Sequence, residues 1–200
     1  MRLRLYAVLA ALVGSFLIPA TPADAATTYR GDGDHLQRIR ATTTPGIAQV
    51  TYDGDGYFSV WGLDSNGKEQ QLLANSAGSY KGTAAYNVDT SNRLVALKIT
   101  ADAPWTIKLL PLSKARSWSI ARNGSTDDVL RLSKPSRGLH SLRIRYTGGG
   151  YFSVWALDAR GRRSDLLANK AGAYKGSVPL PAGSKYAVIT ADGPWSIVRR

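Results

Sequence analysis

The chain has 200 residues, no cysteine, two histidines (His35 and His140), and 26 Lys and Arg against 14 Asp and Glu, for a net charge of +12. No disulfide framework and no thiolate-held zinc can be built from it, and two isolated histidines make no zinc cluster. Stability must come from core burial and strand pairing alone.

The N-terminus reads MRLRLYAVLAALVGSFLIPATPADAATT. Arg2 and Arg4 give a positive start, an apolar run follows to about Pro19, and Ala23-Asp24-Ala25 supplies the small-x-small pattern of a cleavage site. The expectation is a secretory signal peptide over 1–25 and a mature, extracellular chain from near Ala26. No other stretch approaches the roughly 20 apolar residues of a membrane span.

From there the pattern is short runs rich in Val, Ile, Tyr, Trp and Thr, with no helical periodicity. It predicts strands over 35–41, 47–52, 57–63, 69–74, 80–85, 94–100 and 105–110. Between them lie turn letters such as DSNG, Asp64 to Gly67, with Asp first and Gly fourth as a type I turn prefers. The second half then writes the same text again. GYFSVWGLD from Gly56 returns as GYFSVWALD from Gly150, and LLANSAGSYKG from Leu72 returns as LLANKAGAYKG from Leu166, both 94 residues on. ITADAPWTI from Ile99 returns as ITADGPWSI from Ile189, 90 residues on. A period this long is a duplicated domain rather than a solenoid repeat. The expected organisation is two tandem antiparallel β-sandwiches of jelly-roll type, 26–112 and 113–200.

These shared strings resemble a small β-sandwich module found in many exported bacterial proteins, and are loosely similar to bacterial pre-peptidase C-terminal-type domains. The resemblance rests on the Phe-x-Val strand, the Leu-Asp to Gly turn, LL-x-N with G-x-Y-x-G, and the closing ADG-x-W-x-I. It covers nearly all of both copies. It implies a fold, with Phe58 and Val60 matching the module's buried pair and polar residues often standing at the tryptophan's place. It implies no established reaction and no cofactor.

The residues give no catalytic constellation. No G-x-S-x-G elbow occurs. Asp64, Asp102, Asp158 and Asp192 recur in both copies, but each stands beside Gly or Pro where a turn explains it. GDGD, Gly31 to Asp34, and YDGDG, Tyr52 to Gly56, have fragments of oxygen-ligand character, which makes Asp53 and Asp55 weak calcium candidates. The second copy has Thr147 and Gly149 there instead, and Asp-Gly turns account for the same letters.

Charge and aromatics point to a binding protein rather than an enzyme. Residues 26–112 carry eight basic and eight acidic side chains, whereas 113–200 carry sixteen basic and five acidic. That asymmetry suits a polyanionic neighbour for the second copy. Strand alternation puts Trp105 and Trp195 in the core. It does not decide Trp61 and Trp155, because both faces of their strand are apolar. Treating the segment before TGGG (Thr147 to Gly150) as the first arm of a hairpin, an odd loop with a bulge turns Trp155 outward. Trp155 and Tyr151 would then stand near Arg143 and Arg145, with Arg160, Arg162 and Arg163 in the next turn; Trp61 and Tyr57 are the first copy's equivalents. Such a surface suits an acidic glycan or anionic cell-wall polymer, through stacking and guanidinium contacts. The competing expectation is a structural or protein-interaction role, as inhibitor or envelope component, with Trp61 and Trp155 making a protein contact or sealing the two copies together.

Overall fold

The computed structural model describes residues 26–89 and 93–200, so the expected signal peptide lies outside the described residues. The first copy forms β1 (Thr27–Asp32), β2 (His35–Thr42), β3 (Gly46–Tyr52), β4 (Tyr57–Leu63), β5 (Glu69–Ala77), β6 (Tyr80–Tyr86), β7 (Leu94–Thr100) and β8 (Pro104–Pro111). A single 3-10 turn, Leu112–Lys114, leads into the second. There follow β9 (Arg116–Trp118), β10 (Ala121–Gly124), β11 (Asp128–Leu132), β12 (His140–Tyr146), β13 (Tyr151–Leu157), β14 (Arg163–Ala171), β15 (Tyr174–Leu180), β16 (Tyr186–Ala191) and β17 (Trp195–Arg199).

Pairing follows the rule of a rolled-up hairpin. In the first copy β1 joins β8, β2 joins β7, β3 joins β6 and β4 joins β5, giving sheets β1-β8-β3-β6 and β2-β7-β4-β5. The second copy repeats it as β10-β17-β12-β15 and β14-β13-β16-β11, with β9 added in parallel beside β11. This is the jelly-roll arrangement of an all-β sandwich.

The shared phrases explain the core. Phe58 and Val60 face inward with Val50, Tyr52, Leu97 and Ile107; Phe152 and Val154 do the same with Ile144, Tyr146, Ile189 and Ile197. Burying a side chain of this size stabilises by about 1.5–3 kcal/mol. Tyr52 stacks on Phe58 with ring centroids 4.3 Å apart, and Tyr146 on Phe152 at 4.6 Å. Each tyrosine hydroxyl donates to the aspartate of the closing motif, Asp102 or Asp192. That carboxylate packs on the first glycine of the repeated phrase, so a Cβ on Gly56 or Gly150 would collide with it. Trp105 and Trp195 are buried, as alternation predicted, and their indole N–H groups donate to the carbonyls of Gly33 and Thr126 at 3.0 and 2.8 Å. Asp64 and Asp158 start their turns as expected, each Oδ1 accepting two backbone N–H groups at 2.8–3.0 Å.

One expectation is corrected. The segment before TGGG is not the first arm of a hairpin: β12 and β13 belong to opposite sheets, and the chain crosses between layers there. The loop length therefore sets no register between them.

A third apolar cluster lies between the copies. Ile47 and Val88 of the first meet Val129, Leu157, Tyr186 and Val188 of the second, with Leu112 and Ala115 of the connection. Beside it the two are laced by polar bonds: Thr83 N–H donates to the Asp127 carbonyl at 2.9 Å, Thr126 Oγ1 to the Lys81 carbonyl at 2.7 Å, and Tyr80 Oη to Asp127 Oδ2 at 2.7 Å.

Candidate functional site

On β12, Leu142, Ile144 and Tyr146 point into the core, which leaves Arg143 and Arg145 on the outer face of β10-β17-β12-β15, both exposed. Across the ladder, Arg145 sits directly opposite Lys175 on β15 and Ser196 on β17, and Arg143 opposite Ser177 and Val198. Directly opposed side chains share a face with Cβ atoms about 5 Å apart, and like charges in that position are destabilising. Among the described residues, Arg143, Arg145 and Lys175 form no ion pair; the pairs seen are Lys98–Glu69, Arg116–Asp128 and Arg163–Asp89. In the first copy the matching positions are Gln49, Thr51 and Lys81, where Thr51 opposes Lys81 and nothing repels. Three cations thus gather on one open sheet face with no carboxylate to balance them.

The other residues singled out in the sequence lie elsewhere. Trp155 turns away from its own core, but onto the apolar cluster between the copies rather than into solvent. The Arg163 guanidinium lies 4.4 Å from the Trp155 ring centroid, and its Nε reaches Asp89 Oδ1 at 2.8 Å. Arg162 donates to the Asn87 carbonyl at 3.4 Å. Both arginines clasp the loop around residue 88 of the first copy, so they serve the seam. Arg160 is exposed on the turn, and Tyr151, also exposed, lines a cleft of about 560 Å³ at the seam with Leu72 and Asp192. Arg143 and Arg145 therefore belong to one sheet, and Trp155 and Tyr151 to the opposite one.

In the first copy Trp61 is half-buried on the outer face of β2-β7-β4-β5, in a row that runs Leu36, Lys98, Trp61, Leu72 across four strands. Tyr57 is exposed on the same face. Asp53 and Asp55 are exposed in the crossing loop, and among the described residues no three His, Cys, Asp or Glu side chains gather as metal ligands would. His35 packs near Trp105, rings 5.8 Å apart, and His140 Nδ1 lies 3.2 Å from the Arg200 carbonyl.

Sequence reading passed over three residues. Lys175 was hidden inside the shared YKG string, although a lysine outside a core always deserves a face assignment. Asn87 is buried with φ of 56°, its side chain donating to the carbonyls of Thr42 and Thr44 at 3.1 and 3.2 Å. Asp127 accepts from Tyr80 and from the Ala191 N–H at 2.8 Å, and burial pushes its carboxyl above the usual carboxylate range. Its counterpart Asp34 takes the same bond from Ala101 at 2.9 Å, a repeat signal visible three residues after Gly31 and Gly124.

No family model matches the chain, and no curated protein sequence does. Three solved structures show distant likeness. A regulatory subunit of a cAMP-independent protein kinase A from Trypanosoma cruzi, bound to guanosine, is 9% identical over 88% of this chain and 72% of that one, with a TM-score of 0.24. A conserved protein of unknown function from Pseudomonas aeruginosa PAO1 is 12% identical over 88% and 80%, with a TM-score of 0.25. A Trypanosoma brucei regulatory subunit of the same kind is 11% identical over 88% and 73%, also at 0.25. At such scores these likenesses carry no argument about function.

Proposed function

We propose that this is an exported, non-catalytic binding protein of two jelly-roll domains, divided near residue 112, which attaches to an anionic cell-surface polymer or acidic glycan. The contact is the outer face of β10-β17-β12-β15 in the basic second copy. The observation that carries this reading is the direct opposition of Arg145 and Lys175, with Arg143 two residues along on the same face and no acidic partner among the described residues. A sheet that keeps like charges opposed forgoes a few tenths of a kcal/mol or more. An incoming polyanion removes the repulsion and adds charge-assisted hydrogen bonds, bidentate from the arginines. Among the described residues no helix is long and apolar enough to cross a membrane.

The test is retention of the mature protein on an immobilised acidic polysaccharide. Retention falls steeply as salt rises through the range in which the Debye length drops from about 10 to 3 Å, and Arg143→Gln/Arg145→Gln weakens it by roughly tenfold, about 1.4 kcal/mol. Retention indifferent to both would defeat the reading.

A second reading, a protein-contact role for the first copy, has one specific support. Leu36, Tyr57 and Leu72 are among the exposed large apolar side chains and share a face with Trp61. A complex that survives high salt but is lost in Leu36→Ser/Leu72→Ser would favour it over the polymer.

A further inference from the structure

The first copy sums to zero charge, yet its cations are sorted. On β1-β8-β3-β6, Arg30, Thr106, Thr51 and Lys81 stand directly opposite one another in a row across four strands, and the next row is Thr28, Lys108, Gln49 and Thr83. Val50 and Ile107 on the same strands point into the core, so both rows face outward. The matching face of the second copy is the exposed arginine surface described above. Here the geometry differs, because the second copy roofs one edge. Residues 126–128 and Arg116 lie against the rows, fixed by the Thr83 to Asp127 and Thr126 to Lys81 bonds.

The result is a cleft of about 540 Å³ whose lining includes Arg30, Lys81, Lys108 and Arg116 over a floor of threonine hydroxyls. That volume falls in the range of small-molecule sites. Arg116 is held by Asp128 at 2.6 Å. The side-chain cations of Arg30, Lys81 and Lys108 have no partner among the described residues. The remaining acid, Asp127, has both carboxylate oxygens occupied, one by Tyr80 and one by the Ala191 N–H. Arg30 and Lys81 stand three strand spacings apart, about 14 Å, with Lys108 on a strand between them. Their long side chains can close on one group seated over Thr51 and Thr106.

We propose that this cleft between the copies is a second anion site, roofed along one edge, which takes a single phosphate or sulfate ester group. Arg30, Lys81 and Lys108 supply the charge, and the Thr51 and Thr106 hydroxyls donate to the ester oxygens. The site is separate from the arginine face of the second copy and does not depend on it. A free anion and an ester on a polymer present the same oxygens; the ester differs in offering carbon and hydroxyl groups to the uncharged part of the cleft.

The experiment is calorimetric or NMR titration of the mature chain with glycerol phosphate, inorganic phosphate and uncharged glycerol. Glycerol phosphate binds the parent protein and glycerol does not. Lys81→Gln/Lys108→Gln weakens glycerol phosphate at least tenfold, Thr106→Val weakens it several-fold without changing charge, and Arg143→Gln/Arg145→Gln leaves it within twofold. Tighter binding of glycerol phosphate than of inorganic phosphate supports the ester as the natural group, and equal binding supports the free ion. No binding to the parent, or binding untouched in Lys81→Gln/Lys108→Gln, overturns the site. Loss in Arg143→Gln/Arg145→Gln instead assigns the anion to the open face; the cleft then fails while polymer attachment stands. Loss of polymer retention with glycerol phosphate binding intact separates the opposite failure.

Discussion

Trp61 and Trp155 occupy the same place in the same nine-residue phrase, each beside an exposed leucine, and the rest of their surroundings differ. Trp155 lies in a row with Val129, Val188 and Leu166; the first copy covers Val129, Val188 and Trp155, together with the Arg163 clasp, while Leu166 stays exposed as its counterpart Leu72 does. Trp61 lies in the matching row with Leu36, Lys98 and Leu72; there Leu36 and Leu72 are exposed, and Lys98 reaches Glu69 at 2.8 Å. The lesson is that the repeated letters specify the inward face of a sandwich, while each outward face is set by whatever lies against it. Lys98 stands in the first row where Val188 stands in the second.

The largest break in that comparison is truncation of each tryptophan. Trp155→Ala should cost about 2–3 kcal/mol, since it removes apolar burial at the seam and the guanidinium contact. Trp61→Ala should cost about 1 kcal/mol. Urea unfolding of the two variants measures the difference, and equal costs would mean that the seam contributes no more than an open sheet face.

A smaller effect concerns the polar lacing of the seam. Burial holds the Asp127 carboxyl above its ordinary value of 3.8, with the nearby Asp192 charge adding to it and the bonds from Tyr80 and Ala191 opposing it. A group raised in the folded state stabilises most when protonated. Its contribution is therefore full below the ordinary carboxylate value and is lost as pH rises through the raised one. Asp127→Asn should flatten that fall and leave the urea midpoint at pH 7 unchanged or higher. Asp128, raised by burial in spite of Arg116, keeps a residual slope. A midpoint at pH 7 that drops sharply in Asp127→Asn would show that the ionised carboxylate is what the seam requires.

Much of the fold was legible before any coordinates. Predicted strands 57–63 and 94–100 match β4 and β7 in both bounds, and the other five differ only at their ends. The strand missed in the first copy, β1, reads TTYRGD, which carries one aromatic and a glycine. Gly31 looks like a strand breaker, but the Trp105 ring occupies the space its Cβ would need, as Trp195 does for Gly124. Only the tertiary structure supplies that reason. The candidate site was half legible for a different cause. Period-2 alternation assigns a residue to a face of its strand, and it placed Arg143 and Arg145 correctly opposite Leu142 and Ile144. It does not say which sheet the next strand joins. In a jelly roll, β12 and β13 are consecutive in sequence and lie in opposite layers, so arginines and tryptophan that look adjacent in the text are separated by the core. The charge of the first copy was hidden similarly: a sum of zero conceals cations that share one face.

The smallest effect on stability accompanies the largest on binding, and it tests the central proposal most directly. Arg143→Gln/Arg145→Thr gives the second copy's open face the first copy's letters at Gln49 and Thr51. Removing Arg145 from its place opposite Lys175 should leave stability unchanged or raise it by about 0.2–1 kcal/mol. Retention on the anionic polymer at low salt should fall by roughly tenfold or more. A variant as stable as its parent that stays on the polymer to the same salt concentration would contradict the assignment of function to this face.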